Sequence, residues 1–340
     1  MNWKGTISFV IFCSILISTG CTNEMDILAP HKEIPLVYCV LDQADSVHTL
    51  RLQRSFAGEG NAWNMAKISD SIYYKDAQVF LERWSEREYA DKVEMTRIES
   101  VEKDSGAFAT TDHILYSTNS TLNTWSEYKI NILIPDINME LNASTFLVGT
   151  IKMVKPRSNQ PSLSFSEIDK TWEIEWKSAV NARIYFLQIR FNYLEVLGRD
   201  TTPQSAKWSI AHFVSQSTQG DERMETLILK KKLYQFLSAK IPPATNGLKR
   251  IVSKKALDIM FTIGGEELYT YLQVHDAEHN PMMQKPVYTN IENGIGIFSA
   301  RTNQEINGKA LTYLSIDSIA HGQYTHELGF VDSTDDYYRK

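Results

Sequence analysis

The sequence predicts a mainly β protein made of two antiparallel sandwiches, the second carrying two inserted short helices. Three observations lead there. Short runs with the two-residue period of strands recur from Ile34 onward, and turn residues separate them. Several short strands with turn signals between them suggest antiparallel sandwiches. One polar stretch with two prolines and no periodicity, "KPRSNQPS" from Lys155, interrupts the series.

The first sandwich is expected over 34–155. "LVYCVLD" and "HTLRLQRSF", parted by the polar "QADSV", read as a hairpin, with Cys39 a small buried hydrophobe inside the first strand. "GEGNAWNMAKISDS" breaks the pattern as a long loop or short helix. "AQVFLERW", "KVEMTRIESV" and "GAFATTDHILYS" have strand-like lengths. In "EYKINILIPD", Tyr128, Ile130, Ile132 and Ile134 share one face, and Pro135 ends the run. "STFLVGTIKMV" closes the segment. Residues 156–162 are expected to link it to the second sandwich, 163–340.

In that second part, Trp172, Ile174 and Trp176 alternate with charged residues in "KTWEIEWK", and "NARIYFLQIRFNYLEVL" is nearly all β-branched or aromatic. The first inserted helix is expected over "TLILKKKLYQFLSAKI", with Leu229, Leu233, Phe236 and Leu237 on one face. The second is expected over "GEELYTYLQVHDAEH", with Leu268, Tyr271, Leu272 and His275 at i, i+3, i+4 and i+7. "KKALDIMFTIG", "IGIFSARTN" and "KALTYLSID" read as strands. In "TNIENGIGIFSA", Asn293-Gly294 suits a tight turn with positive φ, and Gly296 suits a close backbone approach. A third glycine and a strand–helix unit are missing, so the run is not a dinucleotide fingerprint.

A chain of 340 residues, 43% hydrophobic, can fill ordinary cores, and its formal charge of −6 argues against a general nucleic-acid binder. No stretch beyond the N-terminus is long and apolar enough to span a bilayer as a helix. The first twenty residues differ: Lys4 precedes the apolar run "ISFVIFCSILIS", and the small residues Thr19 and Gly20 follow. This is the pattern of a secretory signal, residues 1–20, cut after Gly20. Cys21 comes next and resembles the lipidated cysteine of a bacterial lipobox, although Ser18 stands where Leu is usual and Ile17 lies one position earlier. Removing 1–20 takes away Cys13 and leaves Cys21 and Cys39, too few for a disulfide framework. Residues 21–33 then read as a polar, proline-bearing tether from a lipid anchor, with Glu24 and Asp26 just after the cysteine.

Several of these stretches together resemble a family. The lipoprotein start at Cys21, "IPLVYCVLDQADSVHTLRLQRSF", "EYKINILIPDINMELNASTFLV", and "LYTYL" followed by "PVYTNIENGIGIFSA" are similar to the lipoproteins of Bacteroidota-type bacteria grouped as domain of unknown function 4249. The resemblance covers most of the mature chain. It implies two immunoglobulin-like or fibronectin-like sandwiches on a lipid anchor at the outer membrane, periplasmic or surface-exposed, and no established activity.

One short stretch invites a different chemistry. "HDAEH", 275–279, with His275, Glu278 and His279, has the His-x-x-Glu-His zinc-ligand spacing of inverted zinc peptidases. Such a site needs a full helix and a third ligand on another one, whereas Asn280-Pro281 ends the helix at once and the residues beyond read as strands and loops. His275 is expected to pack against Leu268, Tyr271 and Leu272. There is no Gly-x-Ser-x-Gly elbow, phosphate loop or Cys-x-x-Cys pair. Hence no catalytic, cofactor-binding or metal-ligating residue is expected. The expected function is a non-enzymatic, lipid-anchored envelope protein, an interaction module for an outer-membrane complex or transporter. The alternative is a carbohydrate-binding surface lipoprotein, which calls for exposed coplanar aromatics on one face; a zinc hydrolase using 275–279 is the remote one.

Overall fold

Apolar and polar residues alternate along the strands much as the sequence predicts. The computed structural model describes residues 33–55, 64, 66, 68–99, 113–276 and 287–339. Its first strands are β1 (Pro35–Asp42) and β2 (His48–Arg54), followed by the single turn α1 (Ser69–Ile72). Then come β3 (Gln78–Ser85), β4 (Glu88–Glu94), β5 (Thr96–Ile98), β6 (Leu115–Thr118), β7 (Glu127–Ile134), β8 (Met139–Phe146), β9 (Lys152–Lys155) and β10 (Ser162–Leu163). Long strands dominate the rest: β11 (Thr171–Lys177), β12 (Ile184–Leu197), β13 (Asp200–Val214), β14 (Arg223–Leu229), β15 (Lys249–Gly264) and β16 (Ile295–Leu311). Between and after them lie α2 (Lys231–Lys240), α3 (Glu266–Asp276), α4 (Tyr313–His321) and α5 (Asp336–Arg339). Among the described residues no helix is long and apolar enough to cross a membrane.

The chain is mainly β, as expected. A large mixed sheet runs in the order β13-β12-β15-β16-β1-β2-β6-β5, with the short β10 beside β16; a three-stranded sheet runs β14-β11-β9 and a four-stranded one β4-β3-β7-β8. Trp172, Ile174 and Trp176 all turn inward from β11. The Trp176 ring lies 5.0 Å from Phe261 of β15 and 5.2 Å from Phe213 of β13, so the small sheet packs face to face on the large one. Tyr128, Ile130, Ile132 and Ile134 are buried from β7, the face the alternation selects. Cys39 is buried, which pushes its thiol up to about 12.

The described residues do not divide into two sandwiches joined at 156–162. Residues 34–340 form one unit. β1 pairs in antiparallel with β2, the expected hairpin, but its other edge pairs in parallel with β16, from Leu36 opposite Ile295 to Asp42 opposite Arg301. The first and last long strands of the chain are thus neighbours in one sheet. The expected linker is held in place: the buried Lys309 ammonium donates to the carbonyls of Arg157, Ser158 and Gln160 at 2.9, 3.2 and 2.8 Å. β10 then pairs with the end of β16. Prolines among polar residues look the same in a free linker and in a clamped loop.

Two element boundaries also differ. Thr226–Leu229 belongs to β14, paired residue by residue with β11, and α2 starts only at Lys231. Leu233 and Leu237 are buried on that helix as expected, while Phe236 stacks on Trp208 of β13 at 5.5 Å and Leu229 stays on the strand. "KALTYLSID" is split: Ala310 and Leu311 end β16, and Tyr313 begins α4. Ile316, Ile319 and Ala320 are buried at i, i+3 and i+4, a helical stripe that starts inside the strand-like run and ends beyond it. The second expected helix is α3, although its last three expected residues lie outside the described ones.

Candidate functional site

His275 sits in the last turn of α3, half-buried. Its ring stacks on Tyr271 with centroids 3.9 Å apart, and Nδ1 lies 2.9 Å from the Tyr271 carbonyl. Both contacts are made within the helix, so the ring is less enclosed than the expected packing face implied. Glu278 and His279 lie outside the described residues, as do Gly20 and Cys21. Among the described residues, the carboxylates close enough together to share an ion are Glu173, Glu175 and Glu225. Protein cations already occupy that cluster. Lys155 Nζ reaches both oxygens of Glu173 at 2.9 and 2.8 Å and Glu175 at 3.3 Å. Arg223 spans Glu175 at 2.8 Å and Glu225 at 3.0 Å. The five side chains tie β9, β11 and β14 together across their outer face.

A polar cleft of about 540 Å³ lies where β8 meets the start of α3. Register builds one wall: Glu82 of β3 stands opposite Lys129 of β7, which stands opposite Ser144 of β8, and Asn131 stands opposite Asn142. Asn131 donates to the Asn142 side-chain oxygen at 3.0 Å and to Glu140. The Lys129 ammonium lies 4.1 Å over the Trp84 ring and 3.8 Å from Glu127. Glu82 accepts from Trp84 Nε1 at 3.2 Å and faces Lys92 at 3.5 Å.

The opposite wall is the segment leading into β16. Asn290 uses its side-chain amide like a strand backbone, donating to the Phe298 carbonyl at 2.7 Å and accepting from its N–H at 3.0 Å. Glu292 N–H donates to the Asn142 carbonyl at 2.8 Å, and Asn293, in the left-handed conformation expected of it, donates to the Glu140 carbonyl at 3.0 Å. Tyr288, two residues before Asn290, also lines the cleft.

Glu267 closes the cleft from the first turn of α3. Thr145 and Ser299 hydroxyls both donate to its Oε2 at 3.3 Å, at the long end for such bonds, and no cation pairs with it among the described residues. Burial pushes its carboxyl above the ordinary value, outweighing its own backbone N–H and those two hydroxyls. Burial, with the nearby Glu267 and Glu266 charges, likewise raises Tyr288. The sequence singled out none of the polar members of this cleft. Their trace was the polar half of strands read for their apolar half, Lys129 and Asn131 in "EYKINILI", Asn142 and Ser144 in "MELNASTF".

A second feature is a cluster of loops. The connections β1–β2, β6–β7, β8–β9, β11–β12 and β13–β14 meet around a cleft of about 380 Å³ lined by Gln43, Trp125, Val180 and Asp221 among others. They brace one another: Thr124 donates to Gln43 at 2.8 Å, Gly149 N–H to the Val180 carbonyl at 2.9 Å, and the Asn181 side chain to the Leu147 carbonyl at 3.0 Å. Lys152 and Lys177 both face Asp221, at 3.4 and 3.6 Å. On this braced surface Trp125 is 80% exposed, while Trp172 and Trp176 are buried.

No protein-family model matches the chain, and no curated protein is similar to it.

Proposed function

We propose that the chain is a non-enzymatic, lipid-anchored protein of the cell envelope, held at the outer membrane through Cys21 after cleavage at Gly20. It would act as an interaction module for another envelope protein, in keeping with the resemblance to the domain of unknown function 4249 lipoproteins. The observation that carries this reading is Trp125, an almost fully exposed tryptophan on a braced loop surface. Tryptophan exposes a large apolar area to water at a cost, and such residues dominate the energetics of protein interfaces when a partner covers them. Exposed Val180 lies beside it, and Asp221, Lys152 and Gln43 supply a polar rim.

A carbohydrate platform would need coplanar exposed rings. The exposed Tyr89 meets Trp84 edge-on at 80°, and the exposed Tyr313 and Trp125 belong to α4 and to the β6–β7 loop. The protein-partner reading is preferred for that reason.

The test compares captures from detergent-solubilised outer membrane by the tagged chain and by two variants. A specific partner is lost with Trp125→Ala and retained with Tyr313→Ala, another exposed aromatic on a different element. Equal recovery with all three would place the interface away from the loops, and recovery of no partner would remove the module reading.

A further inference from the structure

The loop surface leaves the polar cleft unexplained. Its lining carries three carboxylates, Glu82, Glu267 and Glu292, against one ammonium, Lys129. Lys129 is already engaged by the Trp84 ring and Glu127, and Glu82 by Lys92 and Trp84. The uncompensated negative charge therefore falls on Glu267 and Glu292. Glu267 is the informative one, because it is partly withdrawn from water without a cation, and the first turn of α3 with two long hydroxyl contacts offsets that only in part.

The volume of about 540 Å³ is that of a small-molecule site rather than a protein groove. A divalent metal ion is a poor match, since such ions take six or more oxygens and Glu267 belongs to no group of three metal-ligating side chains among the described residues. A neutral sugar would leave the half-buried charge unpaired. A primary ammonium matches: it brings three donors and one positive charge. Asn142, whose Oδ1 is taken by Asn131, keeps its NH₂ as a donor toward hydroxyl groups, and the Tyr288 hydroxyl can donate or accept.

We infer that this cleft is a binding site for a small hydroxylated amine, with Glu267 as counter-charge to the ammonium and Asn142 and Tyr288 as partners for its hydroxyls. The site is separate from the Trp125 surface and independent of whatever docks there.

Calorimetric titration of the full-length chain in detergent tests it, with glucosamine as the cationic probe and glucose as its neutral counterpart. Glucosamine binds, and glucose binds at least ~tenfold more weakly, a difference of about 1.4 kcal/mol. Glu267→Gln, which keeps the size and the hydroxyl partners, lowers glucosamine affinity to the glucose level, and Asn142→Ala weakens both probes. Trp125→Ala leaves the titration unchanged, so failure here and failure of the docking surface are told apart. Equal binding of glucose and glucosamine, no effect of Glu267→Gln in a variant that melts normally, or no glucosamine binding at millimolar concentration would each overturn the assignment.

Discussion

A Cβ atom on Gly296 would lie 1.9 Å from the carbonyl oxygen of Val37, the residue opposite it in the parallel pairing of β1 and β16. Its φ of 130° is also one that side-chain-bearing residues rarely adopt. Close approach and backbone strain therefore coincide where the two ends of the folded unit meet. Gly296→Ala is expected to cost about 3 kcal/mol or more, by forcing β1 away from β16. Gly247→Ala, at φ 77° with open space around it, should cost only about 1 kcal/mol. Urea unfolding of both variants measures the contrast, and equal costs would show that the β1–β16 seam yields easily.

Lys309 holds the 157–160 loop by three carbonyls. Lys309→Met keeps the aliphatic stem and removes the donors, so the exposed loop loses its shared partner, with an expected cost of about 1 to 2 kcal/mol. Limited proteolysis should begin at this loop in the variant and spare it in the parent. An unchanged cleavage pattern would mean that the β10–β16 pairing suffices.

The raised Glu267 carboxyl has a consequence for stability. Folding favours its protonated form, so its ionisation lowers stability as pH rises from the ordinary value of 4.5 through the higher folded one. Below that window both states are protonated and nothing is lost. Glu267→Gln should thus melt higher than the parent at neutral pH, and the gap should close at pH below the ordinary carboxylate range. A variant less stable than the parent at neutral pH would show that the charge is compensated in the fold.

Cys21→Ser should release the protein from the membrane fraction, because one bound acyl chain contributes ~0.8 kcal/mol per buried methylene and the anchor is the expected source of membrane binding. Fractionation with a carbonate wash reads it out. Retention of the variant would point to a membrane contact through the folded body.

The sequence by itself determined which residues turn inward along each strand. Tyr128, Ile130, Ile132 and Ile134, and Trp172, Ile174 and Trp176, are buried as their two-residue period dictates, since the pleat alone sets that alternation. It also marked the turn at Asn293 and the close approach at Gly296, because both are constraints on one residue's backbone. Tertiary structure alone decided what those strands pair with. β1 and β16 lie some 250 residues apart, and a parallel seam leaves no turn between its partners to announce it. The cleft was equally hidden: Lys129, Asn131 and Asn142 look like any solvated strand face until Glu267 and Tyr288 arrive from distant segments to enclose them. Trp125 was hidden for the opposite reason, since an aromatic residue in a β-rich sequence defaults to the core and only the crossing of five loops leaves it outside. Local periodicity decides the face a residue takes; which surfaces meet is decided by contacts that no short window of sequence contains.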